Sequence, residues 1–346
     1  MLNDIKQQVE KLRIMLNDPA TPKVQLLGLA PAPLEMVVSR QWWLWFPSGS
    51  MIGLMLGIGL AFLIEVANDL VRTPRDVARF LDVPLLSMIP DSSEDDLSRK
   101  MNLALTVHQE PYSITSECYR QLRANFELSD SEKAWKTVLI TSCNAGDGKT
   151  SVAVNLATTF IAKSEKVLLI DANFRKPGLQ KIFPEATTED SQAQLSNIGL
   201  SSFLMGQCGY EVLRPSGIEG LDIIDTGPTP LNPAELLAGS RMRELVKEQR
   251  KVYDYVIIDS PPLLLVSDAK VLSRISDVTI LVINADTTSR GAAQRAIFEL
   301  RAIGANLVGC VLLAVRAMKG GYFNEQFKSY RRYQKKLRKL AAAATA

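Results

Sequence analysis

Ser142-Cys143-Asn144-Ala145-Gly146-Asp147-Gly148-Lys149-Thr150 separates the apolar run Thr137-Val138-Leu139-Ile140 from the helix-forming pattern Val152-Ala153-Val154-Asn155-Leu156-Ala157. A glycine-rich turn joining a strand to a helix commits a chain to parallel α/β packing, because the helix must fold back over the sheet. It also makes a phosphate cradle. Residues Asn144 to Ser151 supply successive backbone N–H groups, Lys149 reaches the β and γ oxygens, and the Thr150 hydroxyl ligates Mg²⁺. The positive end of the following helix adds to the same site.

The usual loop has a glycine where this chain has Cys143, so its surroundings matter. Two more strand patterns end in carboxylates, Lys166-Val167-Leu168-Leu169-Ile170 in Asp171 and Tyr255-Val256-Ile257-Ile258 in Asp259. Ligands of open parallel sheets sit outside the carboxyl ends of the strands, where Gly148, Asp171 and Asp259 would converge. Further apolar runs at Leu221–Ile224, Val278–Ile283 and Leu307–Leu313 alternate with helical patterns. The expectation is a doubly wound, mostly parallel sheet.

Before this domain lies a segment of another kind. From Gln41 to Ile64 the chain carries no charge, and Trp42, Trp43 and Trp45 open the run with aromatics suited to a membrane interface. A single transmembrane helix over 42–66 is predicted. Arg72, Arg75 and Arg79 follow it and outnumber Lys23 and Arg40 before it, which places residues from 67 onward on the cytoplasmic side. Residues 1–41 then form an extracytoplasmic stub: Ile5, Val9, Leu12 and Leu16 mark an amphipathic helix, and Pro19, Pro22, Pro31 and Pro33 an extended approach. Residues 67–111 read as a juxtamembrane linker with a helix start at Pro74, residues 112–318 as the P-loop domain, and 319–346 as a basic tail.

Composition removes several function classes. Cys118, Cys143, Cys208 and Cys310 form no Cys-x-x-Cys pair, which supports neither a disulfide framework nor a zinc site. With His108 as the one histidine, histidine-based acid/base chemistry is not expected. A net charge of +3, concentrated in the seven basic residues between Lys328 and Lys339, gives no case for nucleic acid; membrane lipid or a neighbouring subunit accounts for that tail equally well.

Together these motifs resemble those of bacterial tyrosine autokinases of the polysaccharide co-polymerase, or chain-length-determinant, type. Asp69-Leu70-Val71-Arg72-Thr73-Pro74 is similar to the exit from that family's second membrane helix. Leu169-Ile170-Asp171-Ala172-Asn173-Phe174-Arg175 is similar to its second Walker motif, Asp-x-Asp-x-Arg. Asn232-Pro233-Ala234-Glu235-Leu236-Leu237, Ile258-Asp259-Ser260-Pro261-Pro262 and Ser267-Asp268-Ala269 match as well. The resemblance implies the fold of MinD- and ParA-type NTPases, ATP and Mg²⁺ as cofactors, and phosphoryl transfer to tyrosine at the inner membrane of a bacterium. Catalysis would fall to Lys149, Asp171, Asp259 and Arg175, and the metal to Thr150, Asp171 and Asp259. For Asp171 two roles stand, orienting or deprotonating the attacking hydroxyl and holding the metal through water; for Arg175 the readings are a phosphate, a neighbour's acid, or plain solvation.

The resemblance also implies a ring-like homo-oligomer joined through Glu117, Arg120 and Arg123, autophosphorylation at Tyr322, Tyr330 and Tyr333, and partnership with polysaccharide polymerisation and export proteins and with a tyrosine phosphatase. It further implies an outer domain and an earlier membrane helix preceding residue 1. Glu117, Arg120 and Arg123 read equally as a helix face with internal ion pairs. Asn173 departs from the pattern, for an amide lacks the charge of the usual second acid. A nucleotide-gated scaffold of the export machinery with little catalysis therefore stands beside the kinase. Partition and septum-positioning ATPases share the fold, but their signature lysine would fall at Asn144.

Overall fold

The computed structural model describes residues 1–19, 42–67, 69–94, 102–129, 135–184, 198–316, 330 and 332, in two units, 1–67 and 68–346. In the first, α1 (Leu2–Asn17) is the amphipathic helix predicted, and its residues are exposed. Helix α2 (Trp42–Ala67) contains a stretch, Trp45–Ile64, long and apolar enough to cross a membrane.

The second unit is built on eight strands: β1 (Leu85–Pro90), β2 (Thr137–Ser142), β3 (Val167–Asp171), β4 (Leu213–Pro215), β5 (Leu221–Ile224), β6 (Tyr255–Asp259), β7 (Val278–Asn284) and β8 (Leu307–Val315). Their order is β1-β8-β7-β2-β6-β3-β5-β4, parallel throughout except for the short β4–β5 pair. Every residue of β2 and β3 is buried, which is why these strands read as continuous apolar runs without alternation.

Helices cover both faces. Val138, Ile140, Leu169 and Ile257 pack with Leu122 of α3 (Ile114–Leu128) and with Leu156 and Phe160 of α4 (Lys149–Ile161). Leu139, Leu168, Ile170 and Ile258 point the other way. They pack with Leu237 of α5 (Pro233–Ala238), Leu245 of α6 (Ser240–Val252) and Leu272 of α7 (Asp268–Ile275). Helix α8 (Arg290–Ala302) covers β7 and β8 through Ala293, Ala296 and Leu300. Local chemistry fixes the helix starts: Ser113 Oγ accepts from Ser116 N, and Ser289 Oγ from Ala292 N.

One stretch differs from its sequence reading. Residues 85–90, within the span read as linker, form the sheet's edge strand, with Leu85 opposite Cys310 and Met88 opposite Leu312. Pro84 and Pro90 bracket this strand and signal a break from sequence alone, yet proline is tolerated at strand ends and edges. The residues just before β1 are folded on the same unit. Thr73 and Asp76 form a capping box around Pro74, Val71 N donates to Thr288 O at 3.1 Å, and Arg290 pairs with Asp76 at 3.3 Å.

Asn155 ties α4 to the segment that precedes α3. Its Oδ1 accepts from Val107 N at 2.9 Å, and its Nδ2 lies 2.8 Å from both Leu103 O and Ser151 O. Asn155→Ala would strand the Val107 N–H among buried groups, so unfolding free energy should fall by about 1–3 kcal/mol. Phe298→Ala, at a position 70 % exposed, should change it by less than about 0.5 kcal/mol. Denaturant titration of both variants against the parent chain measures the difference.

Candidate nucleotide and phosphoryl-transfer site

The loop between β2 and α4 is shaped by its own residues. Gly146 and Gly148 adopt φ of +88° and +89°, values that side-chain-bearing residues rarely take. Gly148 has a second constraint, for a Cβ there would lie 2.2 Å from Leu313 Cδ2. Asp147 is fully buried beneath the loop. Its Oδ2 accepts from Asn144 N at 2.7 Å, and its Oδ1 accepts from the hydroxyls of Thr287 and Thr288 at 3.2 and 3.3 Å. Of the loop residues, Ala145 and Gly146 are exposed and Asn144, Gly148, Thr150 and Ser151 half-buried. Cys143 fills the position of the usual first glycine and is packed in the core.

Lys149 is 5 % exposed, and burial pulls its ammonium below the ordinary lysine range, with Asp259 and Asp147 opposing that shift. Parallel pairing of β3 and β6 sets Asp171 and Asp259 directly opposite each other. Thr150 Oγ1 donates to Asp259 Oδ2 at 2.5 Å, while Asp259 Oδ1 is buried without a hydrogen-bond partner among the described residues. Burial, and next the neighbouring Asp171, push the Asp259 carboxyl up. A cation would relieve that strain. The orphaned oxygen beside a threonine hydroxyl suits a hard divalent ion such as Mg²⁺, which takes few protein ligands and fills its remaining positions with water and phosphate oxygens. Among the described residues no group of three or more acids, histidines or cysteines forms a self-sufficient metal cage.

Asp171 organises the turn after β3. Its Oδ1 accepts from Asn173 N at 3.0 Å, and its Oδ2 from Gly178 N at 2.9 Å and Leu179 N at 3.1 Å. Burial raises its carboxyl to about 6, and these amides hold it from rising further. Asn173 is 6 % exposed, with Oδ1 accepting from Lys176 N at 3.3 Å. Arg175, on the same turn, is half-exposed and lies 3.6 Å from Asp268.

The structure therefore brings Lys149, Thr150, Asp171 and Asp259 to one end of the sheet, with Arg175 on the adjoining turn. Glu117, Arg120 and Arg123 lie on α3. Arg120 bonds Glu117 within the helix and donates to Pro111 O at 2.7 Å, whereas Arg123 donates to Thr159 O at the end of α4. Tyr330 is half-buried, and its hydroxyl donates to Glu117 Oε2 at 3.2 Å. Tyr322 and Tyr333 fall outside the described residues. Sequence reading overlooked Gly178, where a Cβ would come within 2.8 Å of Thr150 Cγ2. It also overlooked Thr287 and Thr288, whose role depends on a contact about 140 positions away.

Comparison with known proteins gives the family. The family model described as "AAA domain" matches residues 135–303. The tyrosine-protein kinase YwqD of Bacillus subtilis (strain 168) is 38 % identical over 204 residues, 59 % of this chain and 82 % of that protein. A putative tyrosine-protein kinase of Staphylococcus aureus, CapB, is 34 % identical over 209 residues, 60 % of this chain and 88 % of its own length. The crystallised kinase domain of the Escherichia coli tyrosine kinase ETK superposes with a TM-score of 0.65 at 28 % identity, covering 73 % of this chain and 98 % of that domain. Fold and site define a P-loop nucleotide-binding protein with a mostly parallel sheet. Within that class, the chain belongs to the bacterial tyrosine-protein kinases.

Gly148 offers the sharpest test of the loop. Gly148→Ala combines a left-handed backbone with a clash against Leu313, and should weaken nucleotide binding at least about tenfold, or 1.4 kcal/mol. Gly217→Ala places the same strain, φ +86°, where a Cβ meets nothing within 4 Å, and should leave affinity unchanged. Titration with a fluorescent ADP analogue distinguishes the two.

Proposed function

We propose that the chain transfers the γ-phosphoryl group of ATP to the hydroxyl of tyrosines on copies of itself, tethered to the inner face of a bacterial plasma membrane by residues 42–66. The observation that carries this reading is the convergence of a phosphate loop, a buried lysine and two facing carboxylates at one end of the sheet. Phosphoryl transfer asks little covalent chemistry of a protein; it asks for positioning and for charge compensation around a loose transition state.

Each group has a place in that scheme. Backbone amides from Asn144 to Ser151, with Lys149, hold the β and γ phosphates. Thr150 and Asp259 would hold Mg²⁺, which when bound supplies positive charge opposite the phosphate oxygens. Asp171, stiffened by three backbone amides, orients the incoming tyrosine hydroxyl and accepts its hydrogen bond. Arg175 faces the transferring group. In this reading the stub is 1–41, the kinase unit takes β1 from the segment 67–111 and continues through 112–318, and the basic tail is 319–346, whose Tyr322, Tyr330 and Tyr333 are the acceptors. Subunits join in a ring through the face bearing Glu117, Arg120 and Arg123, and the assembly serves capsule or exopolysaccharide polymerisation and export, with a tyrosine phosphatase resetting it.

Asn173 favours a second reading. Its side-chain oxygen is spent on Lys176 N, leaving the site one negative charge short of the Asp-x-Asp pattern, as a nucleotide-gated scaffold would tolerate. Incubating the full chain in detergent with Mg²⁺ and labelled ATP separates the readings. The kinase predicts labelled tyrosine, reduced about 100-fold or more by Lys149→Ala, as for loss of a transition-state charge partner. Labelling should drop sharply when Tyr322, Tyr330 and Tyr333 are all changed to Phe. Nucleotide binding with no label on the parent chain would leave the scaffold.

A further inference from the structure

Asp268 opens α7, nine residues beyond Asp259, and is fully buried. Neither of its carboxylate oxygens has a hydrogen-bond partner among the described residues. Its ion-pair partner is Arg175, whose Nε lies 3.6 Å from Oδ2 and whose side chain is 47 % exposed. This is a poor structural salt bridge. A pair kept for stability has good geometry and satisfied lone pairs, whereas here a carboxylate is withdrawn from water and left without donors. Among the buried carboxylates of the described residues, Asp268 has both oxygens without a hydrogen bond, a cost that points to a functional position.

The placement of Arg175 supplies the reason. Its turn is closed by Asp171, which accepts from Gly178 N, and is pressed against the start of α4 where Gly178 meets Thr150. The arginine is therefore rooted beside the phosphate loop. Asp268 engages it through Nε, the guanidinium nitrogen nearest the backbone. The positive end of α7 favours negative charge at Asp268 and so supports it as an anchor.

We infer that Asp268 is a positioning residue for Arg175, a buried anchor that aims the guanidinium at the terminal phosphate of bound ATP. The inference rests on the proposed nucleotide site but not on tyrosine as acceptor. Without the anchor, the arginine swings among solvent-exposed rotamers and meets the phosphate only part of the time. The nucleotide's other phosphates, held by the loop, are unaffected.

The test follows Arg175 by mass spectrometry in the full chain during modification with phenylglyoxal, with and without the Mg²⁺ complex of a non-hydrolysable ATP analogue. In the parent chain the analogue should slow modification of Arg175 about fivefold or more, roughly 1 kcal/mol. In Asp268→Asn that protection should shrink below about twofold while ADP affinity stays within about threefold of the parent, a loss confined to the terminal phosphate. The melting midpoint of Asp268→Asn should be unchanged or higher, because the cost of burying a carboxylate whose oxygens receive no hydrogen bond is removed. Asp268→Ser provides a second variant with the same expectation.

An unprotected Arg175 in the parent overturns the inference, as does full protection in both variants. A joint fall in melting midpoint and ADP affinity makes Asp268 structural and overturns it too. If the parent chain labels no tyrosine while Arg175 behaves as described, the kinase reading falls and the positioning role stands.

Discussion

Everything at the site depends on the register between β3 and β6. Parallel pairing with Asp171 opposite Asp259 forces two carboxylates to end adjacent strands side by side, in a sheet whose both faces are covered. Two buried acids at that distance repel, and burial compounds the repulsion by disfavouring their charged forms. The surrounding residues divide the problem. Three backbone amides stabilise Asp171, and Thr150 with Lys149 offsets Asp259, while one Asp259 oxygen has no hydrogen-bond partner among the described residues. A one-residue slip of β6 would turn Asp259 to the other face of the sheet and dissolve the arrangement.

The same end of the sheet holds Asp147, Lys149 and Asp268, all buried. A core tuned for stability alone would contain none of these charges. Their cost is met by the packing around them: alternate residues of β2, β3 and β6 feed two separate apolar layers, and the stacked rings of Phe160 and Tyr255, 3.9 Å between centroids, lock α4 against the sheet. Rigidity is the return. A loop braced from below by Asp147 and the Thr287–Thr288 hydroxyls arrives at its nucleotide already shaped, so binding forfeits little conformational entropy.

Where local chemistry determines structure, the sequence was a sufficient guide. The six runs from Thr137 to Leu313 are strands because strands of a sheet covered on both faces are mostly apolar, and α2 lies where charge vanishes. Gly148-Lys149-Thr150 announces its site because glycine is needed at that φ. What stayed hidden depends on partners distant in the chain. Strand β1 is short, flanked by prolines, and becomes a strand only when β8 lies beside it. Gly178 looks like an ordinary turn glycine until Thr150 is seen against it, and Ser267-Asp268-Ala269 is legible as a motif while the burial of Asp268 is not. Periodicity carries no information of that kind.

Cys143 has a consequence for the chemical hardiness of the loop. The thiol sits where a glycine would ordinarily be, next to the phosphates in sequence, yet it faces inward and is 1 % exposed. Burial, followed by the nearby Asp147, pushes the thiol far from the range in which it ionises near neutral pH. Oxidants and alkylating agents attack the thiolate form, so this cysteine is silent toward them. Cys118 and Cys310 are buried as well, and Cys208, far along the chain, is the partly accessible thiol of the four. The nucleotide loop thus carries sulfur without acquiring a redox liability.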